Sequence, residues 1–319
     1  MATYTQGTVT PHNPFSAESA AQQLRKAMKG LGTDEKAIID VLASHTNHQR
    51  LEIALSFKTQ FGKDLRDELK SEISGNFLNL CLALLEIPVN YDAKEIKNAI
   101  KGAGTDEGAL IEILSSRSNA QIMSIKTTYK TLFKSDIEKD IMSDTSGHFK
   151  RFLVSQLAAG RMEDVTVDGA LADREAKELF EAGANKVGTD ESCFNRILSL
   201  RSYPQLLATF NAYRKNHGKE IDDAIKTETS GYLEDGYLSV VKLARNVPAY
   251  FAERLHNCMK GAGTKESTLN RVIVTRSEID MVQIKSEFQR MYGKSLASFI
   301  KGDTGGDYER LLLALIKEK

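Results

Sequence analysis

Four short loops and four distant carboxylates are the parts of this 319-residue chain whose types and spacing could do chemistry. The loops are Gly30-Leu31-Gly32-Thr33-Asp34-Glu35, Gly102-Ala103-Gly104-Thr105-Asp106-Glu107, Lys186-Val187-Gly188-Thr189-Asp190-Glu191 and Gly261-Ala262-Gly263-Thr264-Lys265-Glu266. In each copy an acid stands 40 positions after the second glycine: Glu72, Asp144, Glu228 and Asp303. Glycine accepts positive backbone dihedrals that side chains resist, so such a loop can turn its carbonyls outward. Several carbonyls with one carboxylate form an all-oxygen donor set for a hard cation, and its adaptable geometry suits calcium better than magnesium. One Gly-Thr turn before a helix is ordinary capping. Four copies with an unchanging offset point instead to a divided binding site in which the turn does both jobs.

In the first copy, a helix of about 11 residues leaves the loop for roughly 16 Å, a second crosses over, and a third of similar length comes back. Glu72 therefore returns to the level of Gly30 and Gly32. The expected site uses the carbonyls of Met28, Gly30 and Gly32 with a bidentate Glu72, leaving positions for water or a ligand oxygen. One formal charge per site places the affinity at the micromolar-to-millimolar end. A lipid phosphate oxygen can fill an open position and make the ion a bridge. Lys plus Arg and Asp plus Glu both number 43, so no net field draws the chain to nucleic acid or to an acidic membrane. Membrane binding should then be conditional on calcium and strengthened by several sites acting together.

The elements that must position these residues are helices. Residues 1–15, with Pro11 and Pro14, read as a short extended tail. Ser16 caps a helix through Ala20, Leu24, Ala27 and Met28 that Gly30 ends; Thr33 caps the next, carrying Ile38, Ile39, Val41 and Leu42, with Asp34 and Glu35 in its first turn. A third pattern runs through Leu51, Ile53, Leu55 and Phe57 to Gly62, and a fourth through Leu65, Leu69 and Ile73. The fifth, from Phe77 to Leu85, is apolar almost all round and should be central. Strand signals are absent, so the expected fold is all-α: four homologous five-helix repeats.

The repeat has other marks. Arg117, Arg201 and Arg276 stand 13 residues after the second glycine in copies two to four, where copy one has His45. Ser74-Gly75, Ser146-Gly147, Ser230-Gly231 and Gly305-Gly306 follow the acids as tight turns. Threonine-to-threonine steps are 72, 84 and 75 residues, and the extra length falls in a polar linker at Gly160 to Asp168. The expected boundaries are a tail at 1–15 and repeats at 16–87, 88–159, 160–246 (with the linker) and 247–319.

Other chemistries find no support. Cys81, Cys193 and Cys258 are odd in number and set in apolar helices, which reads as buried small hydrophobes. The six histidines form no repeated ligand pair. There is no Gly-Lys-Ser/Thr phosphate loop, Asp-x-Asp-x-Asp-Gly calcium loop or nucleophile elbow. No enzyme is expected. The start of the chain lacks a signal-peptide pattern and no apolar run could span a bilayer, so the chain reads as cytoplasmic and peripheral to membranes when calcium rises.

Met28-Lys29-Gly30-Leu31-Gly32-Thr33 with Glu72, and its three echoes, resemble the type II calcium sites of the annexin family, across essentially everything after residue 15. The resemblance implies a curved, four-domain helical core whose convex face carries calcium. That face would dock reversibly on acidic phospholipid, phosphatidylserine above all, with vesicle aggregation and homo-oligomers (trimer or hexamer) on membranes. It carries the site over to Ile100, Gly102, Gly104 and Asp144, and to Met259, Gly261, Gly263 and Asp303. The third copy departs from the pattern, with Ala184 in the methionine position and Lys186 in the first glycine's, although Gly188 and Glu228 remain. Lys265 should weaken the helix start of the fourth. The resemblance also brings a polar set between the halves, Asp92, Glu95, Glu112, Arg117, Arg271 and Asp280, either ion pairs that fix module angles or a path for calcium. The alternatives to calcium-dependent lipid binding are a helical scaffold for a protein partner and a calcium-conducting membrane assembly.

Overall fold

The computed structural model describes residues 6–30, 32–102, 104–183, 190–261 and 263–318. The described residues form 20 helices and no strand. The first five are α1 (Ala17–Ala27), α2 (Glu35–Ser44), α3 (Asn47–Phe61), α4 (Leu65–Glu72) and α5 (Gly75–Leu84). Then come α6 (Pro88–Ala99), α7 (Glu107–Ser116), α8 (Asn119–Phe133), α9 (Ile137–Asp144) and α10 (Gly147–Leu157). The third set is α11 (Gly169–Ala182), α12 (Glu191–Leu200), α13 (Tyr203–His217), α14 (Ile221–Glu228) and α15 (Gly231–Arg245). The last is α16 (Val247–Cys258), α17 (Glu266–Arg276), α18 (Met281–Tyr292), α19 (Leu296–Asp303) and α20 (Gly306–Leu315).

The helices gather into two compact units, one of Met1–Pro88 with Pro248–Lys319, the other of Val89–Val247. Each joins two five-helix sets in the same way. In the first unit α2 packs on α20, and α5 packs on α17 and α20. In the second α7 packs on α15, and α10 packs on α12 and α15. The apolar fifth helix of a set is therefore central: Phe77, Leu80, Cys81 and Leu84 are buried in α5, as are Phe152, Leu153 and Leu157 in α10. Full burial of side chains of this size contributes about 1.5–3 kcal/mol each.

Two details of the sequence reading change. Leu51, Ile53, Leu55 and Phe57 are spaced by two, which a helix cannot keep on one face. Of these four only Ile53 and Phe57, four apart in α3, are buried, while Leu55 is 67 % exposed. Cys81 and Cys258 are buried as expected, but Cys193 is half-buried beside Arg196.

Each unit also carries a strap that is not helical. In the first, Gln49 clasps the main chain of the tail: the His12 N–H donates to its Oε1 at 2.9 Å, and its Nε2 donates to the His12 carbonyl at 3.0 Å. In the second, Gln205 clasps the linker identically through Asp168, at 2.8 and 2.9 Å. Thus the linker after α10 and the tail before α1 are held by the same device, and both glutamines also sit in the first turn of their helix, α3 or α13.

Candidate metal centres

The first helix of a set ends where the loop begins. Met28 caps α1, is 3 % exposed and turns its side chain into the core, whereas Gly30 and Gly32 lie at the surface. Their φ angles are +120° and +85°, a region that L side chains rarely enter. The Asp34 N–H closes the loop on the Ala27 carbonyl at 2.9 Å. The second loop repeats this with φ of +102° and +100° at Gly102 and Gly104 and a 2.8 Å bond from Asp106 N–H to Ala99 O. The fourth does so with +113° and +92° at Gly261 and Gly263 and a 2.8 Å bond from Lys265 N–H to Cys258 O. Ile100 is half-buried and Met259 is 4 % exposed, so both anchor side chains point inward like Met28 while the following main chain faces out.

The distant acids do return. The Thr33 hydroxyl donates to Glu72 Oε2 at 2.9 Å, and the Thr105 hydroxyl to Asp144 Oδ2 at 2.6 Å. The Thr264 hydroxyl donates to Asp303 Oδ2 and is also 3.0 Å from the Asp303 carbonyl. Three threonines therefore hold three acids against their loops. That role was not legible in the sequence, where Thr33 reads as the helix cap. The caps are the next residues: Asp34, Asp106 and Asp190 accept from the N–H groups of Ala37, Ala109 and Cys193. Lys265 stands in the same position before α17 and makes no side-chain cap bond, in keeping with the weak start expected of the fourth copy.

Each acid is the last residue of its helix: Glu72 in α4, Asp144 in α9, Glu228 in α14 and Asp303 in α19. A carboxylate there faces the negative end of the macrodipole, at a cost of about 0.3–1 kcal/mol. A cation removes that cost. Among the described residues no three His, Cys, Asp or Glu side chains gather as a metal cluster, so a cation here would draw most of its donors from main-chain carbonyls. Outward glycine loops plus one carboxylate match that requirement, and a carbonyl-rich, all-oxygen set fits calcium.

The third copy differs. Lys186, Val187 and Gly188 lie outside the described residues, as do Ala184 and Thr189. The loop closes from Asp190 N–H to Ala182 O at 3.0 Å, one residue wider than its counterparts. Gly183 lies directly against Glu228, where a Cβ would come within 3.0 Å of the Glu228 Cγ.

Three members of the polar set expected between the halves, Asp92, Arg117 and Asp280, make bonds within their own units. Arg117 grips Asp92 with two bonds, at 2.8 and 2.9 Å, inside the second unit. Arg276 grips Asp280 with bonds of 2.8 and 2.6 Å inside the first. Arg201, the third equivalent arginine, donates to the buried Glu175 at 2.7 Å. Glu95 lies on α6, Glu112 is buried on α7, and Arg271 is buried on α17 with Nη2 3.4 Å from the Thr268 hydroxyl. The arginines that mark the repeat thus tie the end of the second helix to the first helix, or to the turn into the third, of their own bundle.

The centres are also tied to one another within each unit. Asn76, just after the Ser74-Gly75 turn, donates to Glu266 at 3.0 Å. His148, in the same position of the next copy, has Nε2 3.9 Å from Glu191. Glu107, Asp144, Glu191 and Glu228 share a cavity of about 530 Å³ with Phe149 and Tyr232. Glu107, by its charge and hydrogen bond, raises the pKa of Tyr232. Sequence reasoning missed these ties, although the first-turn glutamate recurs in all four copies.

Four five-helix sets, each ending its fourth helix in an acid and, in the first, second and fourth, holding that acid against a glycine loop, define a repeat protein. The annexin family model matches residues 19–84, 91–155, 174–240 and 250–315, and the chain belongs to the annexin family. It is 54 % identical to rabbit (Oryctolagus cuniculus) annexin A11 over 97 % of this chain and 61 % of that protein, and so spans about three fifths of that relative's length. It is 52 % identical to bovine (Bos taurus) annexin A4 over 97 % of both. Chicken annexin V in complex with zinc superposes with a TM-score of 0.94 at 49 % identity, covering 99 % of this chain and 100 % of that one. Calcium-bound annexin (Sm)1 superposes at 0.89 with 34 % identity, covering 99 % and 94 %. The family is known for calcium-dependent phospholipid binding. No described helix is long and apolar enough to cross a membrane.

Proposed function

We propose that this chain binds calcium at its loop-and-acid centres and, through the bound ions, docks reversibly on anionic phospholipid. The carrying observation is that three threonines hold Glu72, Asp144 and Asp303 against loops whose glycines have positive φ. The carbonyls of Met28, Gly30 and Gly32 would hold the first ion with Glu72. Those of Ile100, Gly102 and Gly104 would act with Asp144, and those of Met259, Gly261 and Gly263 with Asp303. The third centre would use Lys186, Gly188 and Glu228, and its wider loop makes it the weakest.

Calcium supplies a divalent charge and open coordination positions. The protein supplies the rest. Buried Met28 and Met259 fix the loop at its root, the glycines turn main-chain oxygens outward, and threonine holds the acid for the ion. With 43 basic and 43 acidic residues, the calcium-free chain has no net attraction for a negative bilayer. Each ion adds two positive charges where a lipid phosphate can complete the coordination. Binding through several centres at once strengthens attachment without new contacts. No catalytic step is part of this reading.

Sedimentation with vesicles tests it. The chain should pellet with phosphatidylserine vesicles in calcium, remain in the supernatant with chelator, and pellet poorly with phosphatidylcholine alone. Pelleting that ignores calcium would sink the reading. A protein-binding scaffold would stay in the supernatant under all three conditions.

A further inference from the structure

Residues 6–15 cross the first unit as a strap. Val9 N–H donates to Ser277 O at 2.9 Å, the Thr8 hydroxyl to Leu315 O at 2.6 Å, and Val282 N–H to Gln6 O at 3.1 Å. Gly7 passes so close to Glu278 that a Cβ would lie 2.5 Å from its main-chain carbon. Past the Gln49 clasp the His12 ring lies on the His45 ring, centroids 4.6 Å apart, and Phe15 meets His45 edge-on at 5.5 Å.

His45 replaces an arginine. At its position the second and third sets carry Arg117 and Arg201, paired with Asp92 and Glu175. Those acids stand 12 and 13 residues before the second glycine, where the first set has Ala20 and Ser19. The ion pair is therefore missing from the first set, and a cavity of about 450 Å³ occupies the area, lined in part by His12, Phe15, Ser19, Asp40 and His45.

The charges around His45 disfavour a second cation. The ring is 6 % exposed, and its Nδ1 lies 2.8 Å from the Val41 carbonyl and 3.1 Å from the Ser44 hydroxyl. From α3 comes buried Arg50, whose Nη1 reaches Glu278 only at 3.4 Å. Beyond α20, Lys317 Nζ is 3.4 Å from Ala43 O, at the end of α2. On α2 itself Asp40 is paired with Lys36 at 2.5 Å. The cavity-lining residues of α1, Ser19 and Gln23, are uncharged, and the strap brings His12. Burial pushes the His45 pKa down; the Val41 carbonyl opposes this, and His12 and Arg50 add to the depression.

We propose that His12 and His45 form an acid-sensitive clasp that holds the strap on the first unit while His45 is neutral and releases it when a proton on the buried His45 ring sets a cation against the His12 ring and beside Arg50. The sign follows from the depressed folded-state pKa of His45. Docking is fully stabilised above about 6.5, the ordinary histidine value, and that contribution is lost as pH falls through the lower folded value. The linker has no such histidine pair: the residue that Gln205 clasps is Asp168, and in the place of His45 stands Arg201, which donates to Glu175.

The test is heteronuclear NMR of the calcium-free chain, following the Val9 and His12 amides between about pH 7.5 and 5, the window in which histidine charges. Both amides should move to random-coil positions with a midpoint below 6.5, while helix-core amides stay in place. His45→Gln should abolish the transition. His12→Gln keeps the main-chain clasp and should shift the midpoint to lower pH. Strap amides that hold at pH 5 in the parent, or a midpoint unchanged in His12→Gln, would overturn the proposal. Because calcium and lipid are absent, the outcome is independent of the membrane reading.

Discussion

The Thr105 hydroxyl donates to Asp144 Oδ2 at 2.6 Å, joining residues 39 apart in sequence at the mouth of one loop. Thr33 with Glu72, and Thr264 with Asp303, repeat the bond. The threonine is freed for it because the following aspartate, where present, caps the helix. A group that sequence reading assigns to helix capping thus becomes the support of a carboxylate that ends another helix.

Thr105→Val removes the hydroxyl and keeps the shape. A net hydrogen bond is worth about 0.5–1.5 kcal/mol, so calcium affinity at the second centre should fall about 2- to 12-fold. Calorimetric titration of the variant reads this, and Thr105→Ser should retain most of the affinity. Equal affinities in parent and Thr105→Val would show that the hydroxyl is incidental.

Gly102→Ala tests the backbone alone. A Cβ at this position meets nothing within 4 Å, yet φ is +102°. The strain of about 1–3 kcal/mol falls on the loop conformation. Calcium affinity at the second centre should drop while chemical denaturation of the calcium-free chain changes by no more than that strain. A variant that binds calcium as the parent does would separate the glycine from the site.

Asp140 provides a pH signature in the second unit. Burial raises its pKa, but hydrogen bonds from Tyr129, Ser135 and Lys97 outweigh that and lower it to about 2. A depressed carboxyl stabilises above its unfolded value, and that contribution is lost as pH falls from about 4 toward 2. Asp140→Asn should flatten the stability profile across that window, measured by urea unfolding at fixed salt. A profile as steep as the parent's would contradict the pairing.

Most of the fold was legible because its signals are local. The i, i+3, i+4 spacing of Ala20, Leu24 and Ala27 and the glycine stops give helices, and a fixed 40-residue offset repeated four times points to the candidate site. Ser, Thr, Asp and Asn are interchangeable as caps on paper, so the choice between Thr33 and Asp34 belongs to three-dimensional geometry. Gln49 and Gln205 escaped for a different reason: a side chain that bonds a remote main chain leaves no periodic trace. Their common place, 17 residues after the second glycine, was the available signal. Arg117 and Arg276 read as markers of the repeat, and the carboxylates they grip, Asp92 and Asp280, lie in their own bundles.

The central claim is that Glu72, Asp144, Glu228 and Asp303 hold the ions that tie the chain to a membrane. The direct measurement is calcium-titrated sedimentation of the quadruple variant Glu72→Gln, Asp144→Asn, Glu228→Gln and Asp303→Asn with phosphatidylserine vesicles. Thermal unfolding in chelator should show it folded and no less stable, because each change removes a charge from a helix C-terminus. The single variants Glu72→Gln and Asp144→Asn should each raise the calcium needed for half-maximal pelleting, and the quadruple variant should stay in the supernatant at every calcium level. A folded quadruple variant that pellets like the parent would contradict the account.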